Sequence, residues 1–530
     1  MPHASLNNPP GDLIGGAWIQ PAGATLESRN PARPEQVVWS GRTDPAHVDA
    51  AVAAARRALP FWSTLAGSAR EAVLRRFAEL AAAQQQRVAE VICDEVGKVM
   101  WEARQEAALL SAKIDSTLDA SPEGGRRRVT DFSLALGTTR QGRCLFRPHG
   151  VIGVLGPFNF PVHLPNGHIA PALLMGNTIV FKPSDKAPAC GQALIELFQQ
   201  ALREAIDPLP PEAAGVINLV QGGVDIASTL VRHEGLDGIA LTGSWPVGRA
   251  VLEANLDRPG RIVALELGGN NPVIVMPDAD LRQAAIEIVR GAFNTTGQRC
   301  TCTRRAIIHA SVADRLIPAI GKAASNLIIG DPRAAHPVFM GPMVSAPARD
   351  AVLRFQDTGR SVGSGEVLVP CMPVEVAGCA GGFFVSPGVM RVERFGASTG
   401  DAPTSREQSA SADVEVFGPL LRVSVCDSLD DALEQANATR FGLAASIFTR
   451  DAGAIERFLV ECRAGCLNVN TGTSGASGKL PFGGLGYSGN HRPAGSFALD
   501  YCAYPVAAMI ESGQGATIAE GMRFEADWIR

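Results

Sequence analysis

Apolar and polar residues alternate along this chain with two periods, one typical of helices and one typical of buried strands. The segment opening with Thr43-Asp44-Pro45 continues in alanine-rich periodicity to Phe61-Trp62. This pattern predicts a helix capped by Asp44, with Pro45 in its first turn. The same periodicity predicts a second helix over residues 68–95 and a third from about residue 99 to 120.

Beyond residue 148 the pattern changes to short apolar runs separated by segments of helix length. The runs cover residues 151–155, 178–181, 216–220 and 238–241. Such an order is typical of βαβ units whose parallel sheet is buried on both faces. The fold class predicted is therefore α/β.

Two segments depart from that pattern. Residues 126–145 are strand-like but polar, and residues 395–412 are rich in Gly, Ser, Ala and Asp. The first segment therefore predicts polar strand structure outside the buried sheet, and the second predicts a solvent-exposed loop.

Composition indicates a multidomain soluble enzyme. The 530 residues exceed the roughly 250–300 over which one hydrophobic core keeps growing, so two or three domains are expected. No apolar run reaches about 18 residues, and the polar start Met1-Pro2-His3-Ala4-Ser5 lacks a signal-peptide core, which predicts a cytoplasmic protein without a membrane partner. The formal charge of −5 gives no basic field for a nucleic-acid partner.

The chemistry is indicated by one cysteine and one glutamate. Cys300 lies in Gly297-Gln298-Arg299-Cys300-Thr301-Cys302, a short way after Glu266 in Leu265-Glu266-Leu267-Gly268-Gly269. A thiol supplies a nucleophile and a carboxylate supplies a base, so the pair can form an acyl thioester and hydrolyse it with activated water. The eleven cysteines have no regular spacing, which favours a reducing compartment, and Cys300 and Cys302 lack a second ligand pair for zinc, so no metal is predicted.

Further motifs in a fixed order accompany this pair, and together they resemble the aldehyde dehydrogenase superfamily over almost the whole length. They are Gly156-Pro157-Phe158-Asn159-Phe160-Pro161, Phe181-Lys182-Pro183-Ser184-Asp185, Leu241-Thr242-Gly243-Ser244, Glu415-Val416-Phe417-Gly418-Pro419 and Pro481-Phe482-Gly483-Gly484.

The resemblance implies a domain organisation. A Rossmann-like NAD-binding domain is expected from residues 1–124 and 149–266, and an α/β catalytic domain from 267–484. Residues 125–148 and 485–510 would form a small β oligomerisation arm and tail, with residues 498–505 pairing with the arm. The expected assembly is a homodimer or a dimer of dimers.

The resemblance also implies catalytic roles. Cys300 would attack an aldehyde, Asn159 and the backbone N–H of Cys300 would stabilise the oxyanion, and Glu266 would activate water. Because a free thiol is only slightly ionised near neutral pH, the setting of Cys300 is expected to favour the thiolate. Arg299 is either a helper of that ionisation or a solvated or structural residue. Cys302 is interpreted as a packing residue, with a redox partner as the alternative.

The cofactor implied is NAD, with NADP possible. Backbone N–H groups of Gly243, Ser244 and Gly248 would meet the pyrophosphate at a helix start, although the same spacing also occurs in ordinary turns. Lys182 and Asp185 would bind the adenosine ribose, and a carboxylate there repels a 2′-phosphate. The pair expected around the nicotinamide ribose and ring is Glu415 and Phe417.

Finer motifs resemble the branch of the family that oxidises N-succinylglutamate 5-semialdehyde in arginine catabolism. These motifs cover residues 158–169, 297–305 and 488–493. The carboxylates of such a small-molecule substrate need cationic donors, for which Arg492 and Lys113 are candidates, with His163, His168 and His491 as weaker ones.

Three alternatives stay open. Residues 468–474 lack the tryptophan and lysine of that branch, so another semialdehyde or a broad aldehyde range is compatible with the motifs. A thiol esterase or acylating variant would share Cys300 but not need Glu266, and an inactive cofactor-binding scaffold would need neither.

Overall fold

The computed structural model describes residues 6–396, 409–475, 477–513 and 516–529. Most of the segment predicted as a loop over 395–412 therefore lies outside the described residues. The strands, in chain order, are β1 (Asp12–Ile14), β2 (Ala17–Ile19), β3 (Thr25–Asn30), β4 (Arg33–Arg42), β5 (Phe132–Ala135), β6 (Arg140–Pro148), β7 (Val151–Leu155), β8 (Thr178–Lys182), β9 (Ile217–Leu219), β10 (Gly238–Thr242), β11 (Ile262–Glu266), β12 (Asn271–Val275), β13 (Thr303–His309), β14 (Glu366–Val369), β15 (Gly388–Arg391), β16 (Leu420–Cys426), β17 (Ala444–Phe448), β18 (Cys466–Val469), β19 (Pro481–Phe482), β20 (Ala494–Gly495) and β21 (Ala503–Glu511).

The helices alternate with these strands. They are α1 (Ala46–Thr64), α2 (Gly67–Ala83), α3 (Gln85–Val96), α4 (Met100–Leu118), α5 (Gly125–Arg128), α6 (His163–Leu174), α7 (Pro188–Ala205), α8 (Val224–Arg232), α9 (Trp245–Glu253), α10 (Leu281–Phe293), α11 (Ala310–Ser325), α12 (Ala346–Ser361), α13 (Leu429–Asn437) and α14 (Ala452–Glu461). No helix in the described part is both long and apolar enough to cross a membrane.

The first seven-stranded sheet has the order β11-β10-β7-β8-β9-β1-β2. Strands β7 to β11 are parallel, and β1 joins β9 antiparallel. The predicted apolar runs are confirmed as β7, β8, β9 and β10, and β7 and β8 are fully buried. Because the chain moves outward from β7 to β8 and β9 and then returns to the other side of β7 with β10, the sheet has a switch point where ligands bind in α/β proteins.

The second seven-stranded sheet has the order β14-β15-β16-β13-β12-β17-β18. Its strands are parallel apart from β14, which runs antiparallel to β15. Several of its helices start at a side-chain cap that accepts the N–H three residues later, as at Asp280, Ser345, Ser428 and Asp451. The parallel strands of the first sheet end in the chain at Glu266. The second sheet begins shortly afterwards, at Asn271.

A three-stranded sheet of order β21-β6-β5 lies outside both large sheets. Its β6 and β21 pair antiparallel from Ala503↔Pro148 to Glu511↔Arg140. The predicted pairing of the polar segment with the tail is confirmed, although the paired tail strand begins at Ala503 rather than Ala498.

The helix predicted over residues 68–95 was wrong as a single element. The structure has two helices, α2 and α3, which meet at Gln84. Gln84 ends α2 with its N–H on the carbonyls of Leu80 and Ala82, and its side chain bonds Gln200 at 3.4 Å. The break arises from tertiary contacts, since no Gly or Pro marks it in the sequence. The first and third predicted helices are confirmed as α1 and α4. The predicted cap was wrong by one residue: Pro45 takes the N-cap position before Ala46, and Asp44 Oδ1 accepts the N–H of Ala46 at 3.0 Å.

Candidate active site

A cavity of about 680 Å³ lies between the carboxyl end of the first sheet and the start of the second, and both Cys300 and Glu266 line it. Glu266 is the last residue of β11, and Cys300 lies shortly before β13. Other lining residues include Leu109, Lys113, Asp115, Asp119, Phe160, His163, His168, Thr242, Arg299, Ser474, Lys479 and Phe482. The cavity therefore brings together a nucleophile and a carboxylate from two different sheets.

Cys300 reaches the cavity through a tight turn, which we call the nucleophile loop (residues 294–302). Thr295 and Thr296 have φ of 52° and 55°, and Gly297 has φ of 69°. A Cβ at Gly297 would lie 2.2 Å from the carbonyl of Gly418, so only glycine fits there. Positive φ is strained for a β-branched residue and persists where surrounding contacts impose it.

Those contacts come from Glu102, a buried residue of α4. Its carboxylate accepts the N–H of Thr295 at 3.0 Å, the Thr295 hydroxyl at 3.0 Å and the guanidinium of Arg299 at 2.6 Å. Arg299 also donates from Nε to Thr295 Oγ1 at 2.8 Å. Of the two interpretations of Arg299, these contacts support the structural one.

The thiol of Cys300 is not set up as a thiolate in this structure, contrary to the expectation from sequence. Burial raises the pKa of the Cys300 thiol, and the carboxylates of Glu415 and Glu266 raise it further. The expectation was wrong first because the thiol is buried, and then because two carboxylates from distant segments act on it. Arg299, the cation beside Cys300 in sequence, is paired with Glu102.

Glu266 is 3% exposed. Its Oε1 accepts the N–H of Ala494 at 3.3 Å, whereas its Oε2 is buried without a partner among the described residues. Burial holds the pKa of the Glu266 carboxyl well above its usual range. A buried carboxyl with a raised pKa and an unused oxygen on a cavity is a general-base candidate.

Asn159 follows β7 and is 5% exposed. Its Nδ2 donates to the carbonyl of Gln298 at 2.9 Å, two residues before Cys300, and its Oδ1 accepts the N–H of Phe160 at 3.1 Å. One amide hydrogen of Asn159 is therefore still available. Within the described part of the chain the backbone N–H of Cys300 also has no acceptor. Each of these two groups can donate to a further acceptor, although Asn159 itself is not among the residues that line the cavity.

Cys302 lies away from the cavity. It is fully buried, and its thiol donates to the carbonyl of Asn294 at 3.9 Å. Burial raises the pKa of the Cys302 thiol as well. These surroundings fit the interpretation as a packing residue. Across the described residues, no group of His, Cys, Asp and Glu is arranged to hold a metal ion.

The residues predicted to bind a dinucleotide lie at the carboxyl ends of β8 and β10. Lys182 donates to the carbonyls of Pro183 and Gly222, the latter at 2.6 Å, and Asp185 is exposed next to Lys186. Ser244 begins α9 without a side-chain cap.

The start of α9 fits a phosphate. Pro246 has no N–H, and no residue within the described ranges accepts the backbone N–H of Ser244, Trp245 or Val247. Two of the three expected donors are not free, because the N–H groups of Gly243 and Gly248 donate to the carbonyls of Glu266 and Ser244, each at 2.9 Å. Gly248 instead packs against Leu267, where a Cβ would come within 2.7 Å of Cδ1. Free N–H groups at a helix start bind anions, so those of Ser244, Trp245 and Val247 fit the pyrophosphate of a dinucleotide.

Glu415 and Phe417 lie on the other side of Cys300. Glu415 Oε1 accepts the N–H of Gly269 at 2.9 Å. Phe417 packs edge-on against Phe158, with ring centroids 5.9 Å apart, and the guanidinium of Arg304 lies 5.5 Å from its ring. The same Gly269 lies against the carbonyl of Cys300, where a Cβ would come within 2.8 Å, so Glu415 is close to the nucleophile loop.

The candidate substrate contacts separate into two groups. Lys113 and His163 line the cavity: Lys113 Nζ donates to the carbonyl of Gly495 at 2.7 Å, and the buried Nδ1 of His163 has no partner in the described structure. Burial lowers the pKa of His163 to about 3, so this ring is neutral. His168 also lines the cavity, between Tyr501 and Thr242. By contrast, His491 and Arg492 are exposed and do not line it.

Several site residues were not singled out from the sequence. Lys479 and the aromatic rings of Phe160 and Phe482 line the cavity, and Glu102 and Glu106 lie behind it. One signal for the two glutamates was available, because both recur at a spacing of four on the alanine-rich face of the third predicted helix, where charges are unusual unless paired. Lys479 gave no such signal.

This chain is similar to known proteins over nearly its whole length. The family model described as the aldehyde dehydrogenase family matches residues 18–505. An N-succinylglutamate 5-semialdehyde dehydrogenase of Caulobacter sp. (strain K31) is 42% identical over 500 residues, covering 94% of this chain and 96% of that protein. A protein of the same name from Burkholderia thailandensis is 39% identical, with 97% and 99% covered.

Solved structures share the whole architecture. The 1-pyrroline-5-carboxylate dehydrogenase from Thermus with bound NAD matches with a TM-score of 0.85 at 26% identity, covering 96% of this chain and 93% of that one. The α/β fold predicted from the sequence is therefore confirmed. The family model matches most of this chain, and relatives such as the 42% identical Caulobacter protein cover nearly all of it. The chain therefore belongs to the aldehyde dehydrogenase family.

Proposed function

We propose that this enzyme oxidises N-succinylglutamate 5-semialdehyde to N-succinylglutamate, as a step of arginine catabolism, with NAD as the hydride acceptor. The observation that carries the aldehyde chemistry is the shared cavity of Cys300 and Glu266, with one carboxylate oxygen of Glu266 unpartnered. The names of the relatives from Caulobacter and Burkholderia support the substrate.

The first half of the reaction forms a bond to sulfur. Cys300 loses its thiol proton to a base in the cavity, and the thiolate attacks the aldehyde carbon, so a C–S bond forms and the carbonyl oxygen becomes an oxyanion. The free amide hydrogen of Asn159 and the N–H of Cys300 donate to that oxygen. Losing one such donor typically costs about 2.7–4 kcal/mol of barrier.

The second half releases the acid. When bound, the nicotinamide supplies the acceptor for the hydride that leaves the same carbon. The carbon is then a thioester of Cys300, and Glu266 removes a proton from water as the water attacks it. The C–S bond breaks, the carboxylate product leaves and the thiolate is regenerated. A carboxyl with a raised pKa holds that proton more readily than an ordinary glutamate.

The cofactor contacts proposed are Lys182 and Asp185 for the adenosine ribose, the start of α9 from Gly243 to Gly248 for the pyrophosphate, and Glu415 with Phe417 for the nicotinamide end. The carboxylate of Asp185 disfavours a 2′-phosphate by charge repulsion, which is the reason for choosing NAD over NADP.

The domain roles follow from the two large sheets. Residues 1–124 and 149–266 would bind the dinucleotide, residues 267–484 would carry the nucleophile, and residues 125–148 and 485–510 would pair subunits in a homodimer or a dimer of dimers. The exposed apolar side chains of β5 and β21, such as Phe132 and Met509, support a subunit contact there.

Substrate selectivity would come from the cations of the cavity. Lys113 is buried beside His163, and Lys479 lies in the segment after β18, where the branch's usual tryptophan and lysine are missing. Charge-assisted hydrogen bonds from such groups suit the carboxylates of the substrate. Arg492, which lies outside the cavity, has no place in this arrangement.

A comparison of substrates tests the proposal. We expect kcat/KM for N-succinylglutamate 5-semialdehyde to exceed that for a simple aliphatic aldehyde such as hexanal, and NAD to be preferred over NADP. Equal rates with both aldehydes would replace the proposal by a broad-range aldehyde dehydrogenase. Absence of NADH or NADPH formation with any aldehyde would overturn the oxidoreductase assignment itself.

A further inference from the structure

The first turns of α4, and Lys98 just before the helix, carry charged side chains that contact both loops of the active site. Glu102 and Glu106 are spaced by four residues, so they share one face of α4, and all three side chains are at most 3% exposed. This face is turned toward the nucleophile loop and toward residues 156–163, which we call the oxyanion loop. Buried charges need partners, and both loops supply them.

Glu106 and Lys98 contact the oxyanion loop. Lys98 Nζ donates to the backbone carbonyl of Asn159 at 2.7 Å and to Glu106 Oε2 at 2.6 Å. Glu106 Oε1 accepts the N–H of Val162 at 3.1 Å and that of His163 at 3.2 Å. The backbone from the carbonyl of Asn159 to the N–H of His163 is thereby fixed to Lys98 and to α4.

Glu102 contacts the nucleophile loop one turn away, through Thr295 and Arg299. The oxyanion loop and the nucleophile loop also meet at Phe160. Its ring centroid lies 3.6 Å from Lys98 Nζ and 5.1 Å from the Arg299 guanidinium. Cys300 and Asn159 lie in loops next to different sheets. Both loops are thus held by the start of α4 and the residue just before it.

The geometry points to Lys98, Glu102 and Glu106 as positioning residues that fix the distance between the sulfur of Cys300 and the oxyanion donor Asn159. None of them lines the cavity, so they act through the loops and not on the substrate. This inference rests on the roles proposed for Cys300 and Asn159. It also accounts for the strained φ of Thr295, because Glu102 holds the N–H and the hydroxyl of that residue together.

The chain offers a matched control for a purely structural role. Glu196 is also buried, and it accepts the backbone N–H groups of Asn7 and Asn8 and pairs with Arg87, away from the cavity. The test compares Glu102→Gln with Glu196→Gln in the full-length enzyme. Each variant removes one buried carboxylate charge that is paired with an arginine.

Three quantities are measured for each variant: the thermal midpoint, kcat and KM, and the rate at which iodoacetamide alkylates Cys300, located by peptide mass spectrometry. We expect both variants to lose thermal stability. Only Glu102→Gln is expected to lower kcat, by about tenfold to 100-fold, with KM changed far less, and to alter the alkylation rate of Cys300. Equal kcat and equal alkylation rates in the two variants would overturn the inference.

A milder pair of variants applies if Glu102→Gln does not fold. Thr295→Ala removes the hydroxyl that joins Glu102 and Arg299 while leaving both charges in place, and Thr295→Ser retains it. We expect Thr295→Ala to lower kcat and Thr295→Ser to restore most of it; indistinguishable kcat values for the wild type and Thr295→Ala would count against the inference. A wild-type enzyme that oxidises no aldehyde would instead refute the proposed function, and the alkylation rates would still report on the loop.

Discussion

Cys300 and Glu266 line the same cavity although one belongs to the turn before β13 of the second sheet and the other ends β11 of the first. Burial, the Glu415 carboxylate and the Glu266 carboxylate all raise the pKa of the Cys300 thiol. The resting site therefore holds a neutral thiol, and its ionisation must be coupled to binding or to proton transfer within the cavity.

Removal of the two neighbouring thiols should have different effects. Cys300→Ala should abolish aldehyde-dependent NADH formation, because no other thiol of the described chain lines the cavity. Cys302→Ala should retain most of the activity and lose about 1 kcal/mol of stability, since it removes one small buried group. Absorbance at the NADH band and thermal melts of both variants give the answer. Loss of activity in Cys302→Ala with a normal melt would assign that thiol a chemical role.

The buried carboxyl of Glu266 should reduce stability as pH rises. Because the folded-state pKa of Glu266 is raised, the folded protein binds a proton that the unfolded chain has lost above about pH 4.3. Over that window the free energy of unfolding falls with rising pH by up to about 1.4 kcal/mol per unit. Glu266→Gln lacks this titration.

The melting temperature of Glu266→Gln should therefore exceed that of the wild type by a margin that grows from about pH 5 to about pH 8. Differential scanning fluorimetry across this range measures the margin. A constant difference at every pH would mean that Glu266 titrates normally in the folded protein.

Lys113 should select for substrates with carboxylates. Burial lowers the pKa of Lys113 to about 8, so its positive charge is lost as pH rises through that value. Lys113→Met should raise KM for N-succinylglutamate 5-semialdehyde by about tenfold to 100-fold, the usual effect of losing a charged hydrogen bond. KM for hexanal should change little, and KM of the wild type for the semialdehyde should rise above about pH 8.

Arg492→Met is the matched control, since Arg492 is exposed and outside the cavity. We expect its KM for the semialdehyde to equal that of the wild type. A raised KM for the semialdehyde in Arg492→Met, together with an unchanged KM in Lys113→Met, would assign the carboxylate contact to Arg492.

The sheet of β5, β6 and β21 should mediate assembly. Phe132, Leu134 and Met509 are 53%, 45% and 66% exposed on it, which is unusual for apolar side chains of a sheet unless a partner covers them. Light scattering should give at least twice the chain mass of 55.6 kDa, and Leu134→Asp with Met509→Glu should shift the protein toward a monomer. A monomeric wild type would contradict this assignment.

The sequence predicted the elements whose signal is local. The run Val151–Leu155 coincides with β7 because a central parallel strand is apolar on both faces. The family motifs singled out Cys300 and Glu266, which line one cavity in the structure. The break at Gln84 was not predicted, because the residues on both sides retain helical periodicity and the contact to Gln200 comes from another helix.

Long-range electrostatics could not be inferred from the sequence. The raised pKa of the Cys300 thiol depends on its burial and then on Glu415, more than a hundred residues away in the chain, while the neighbouring Arg299 is held by Glu102. Likewise, the spacing of Glu102 and Glu106 indicated a buried charged face but not which loops it contacts. Such contacts depend on how the two large sheets face each other.

In the proposed mechanism, Cys300 holds the acyl group that Glu266 releases by activating water. The most direct measurement is mass spectrometry of Glu266→Gln after mixing with N-succinylglutamate 5-semialdehyde and NAD, together with the NADH formed per subunit. We predict an acyl adduct on the peptide containing Cys300, at most one NADH per subunit in a rapid burst, and stalled turnover thereafter. Continued turnover at the wild-type rate, or a burst without an adduct on Cys300, would contradict the account.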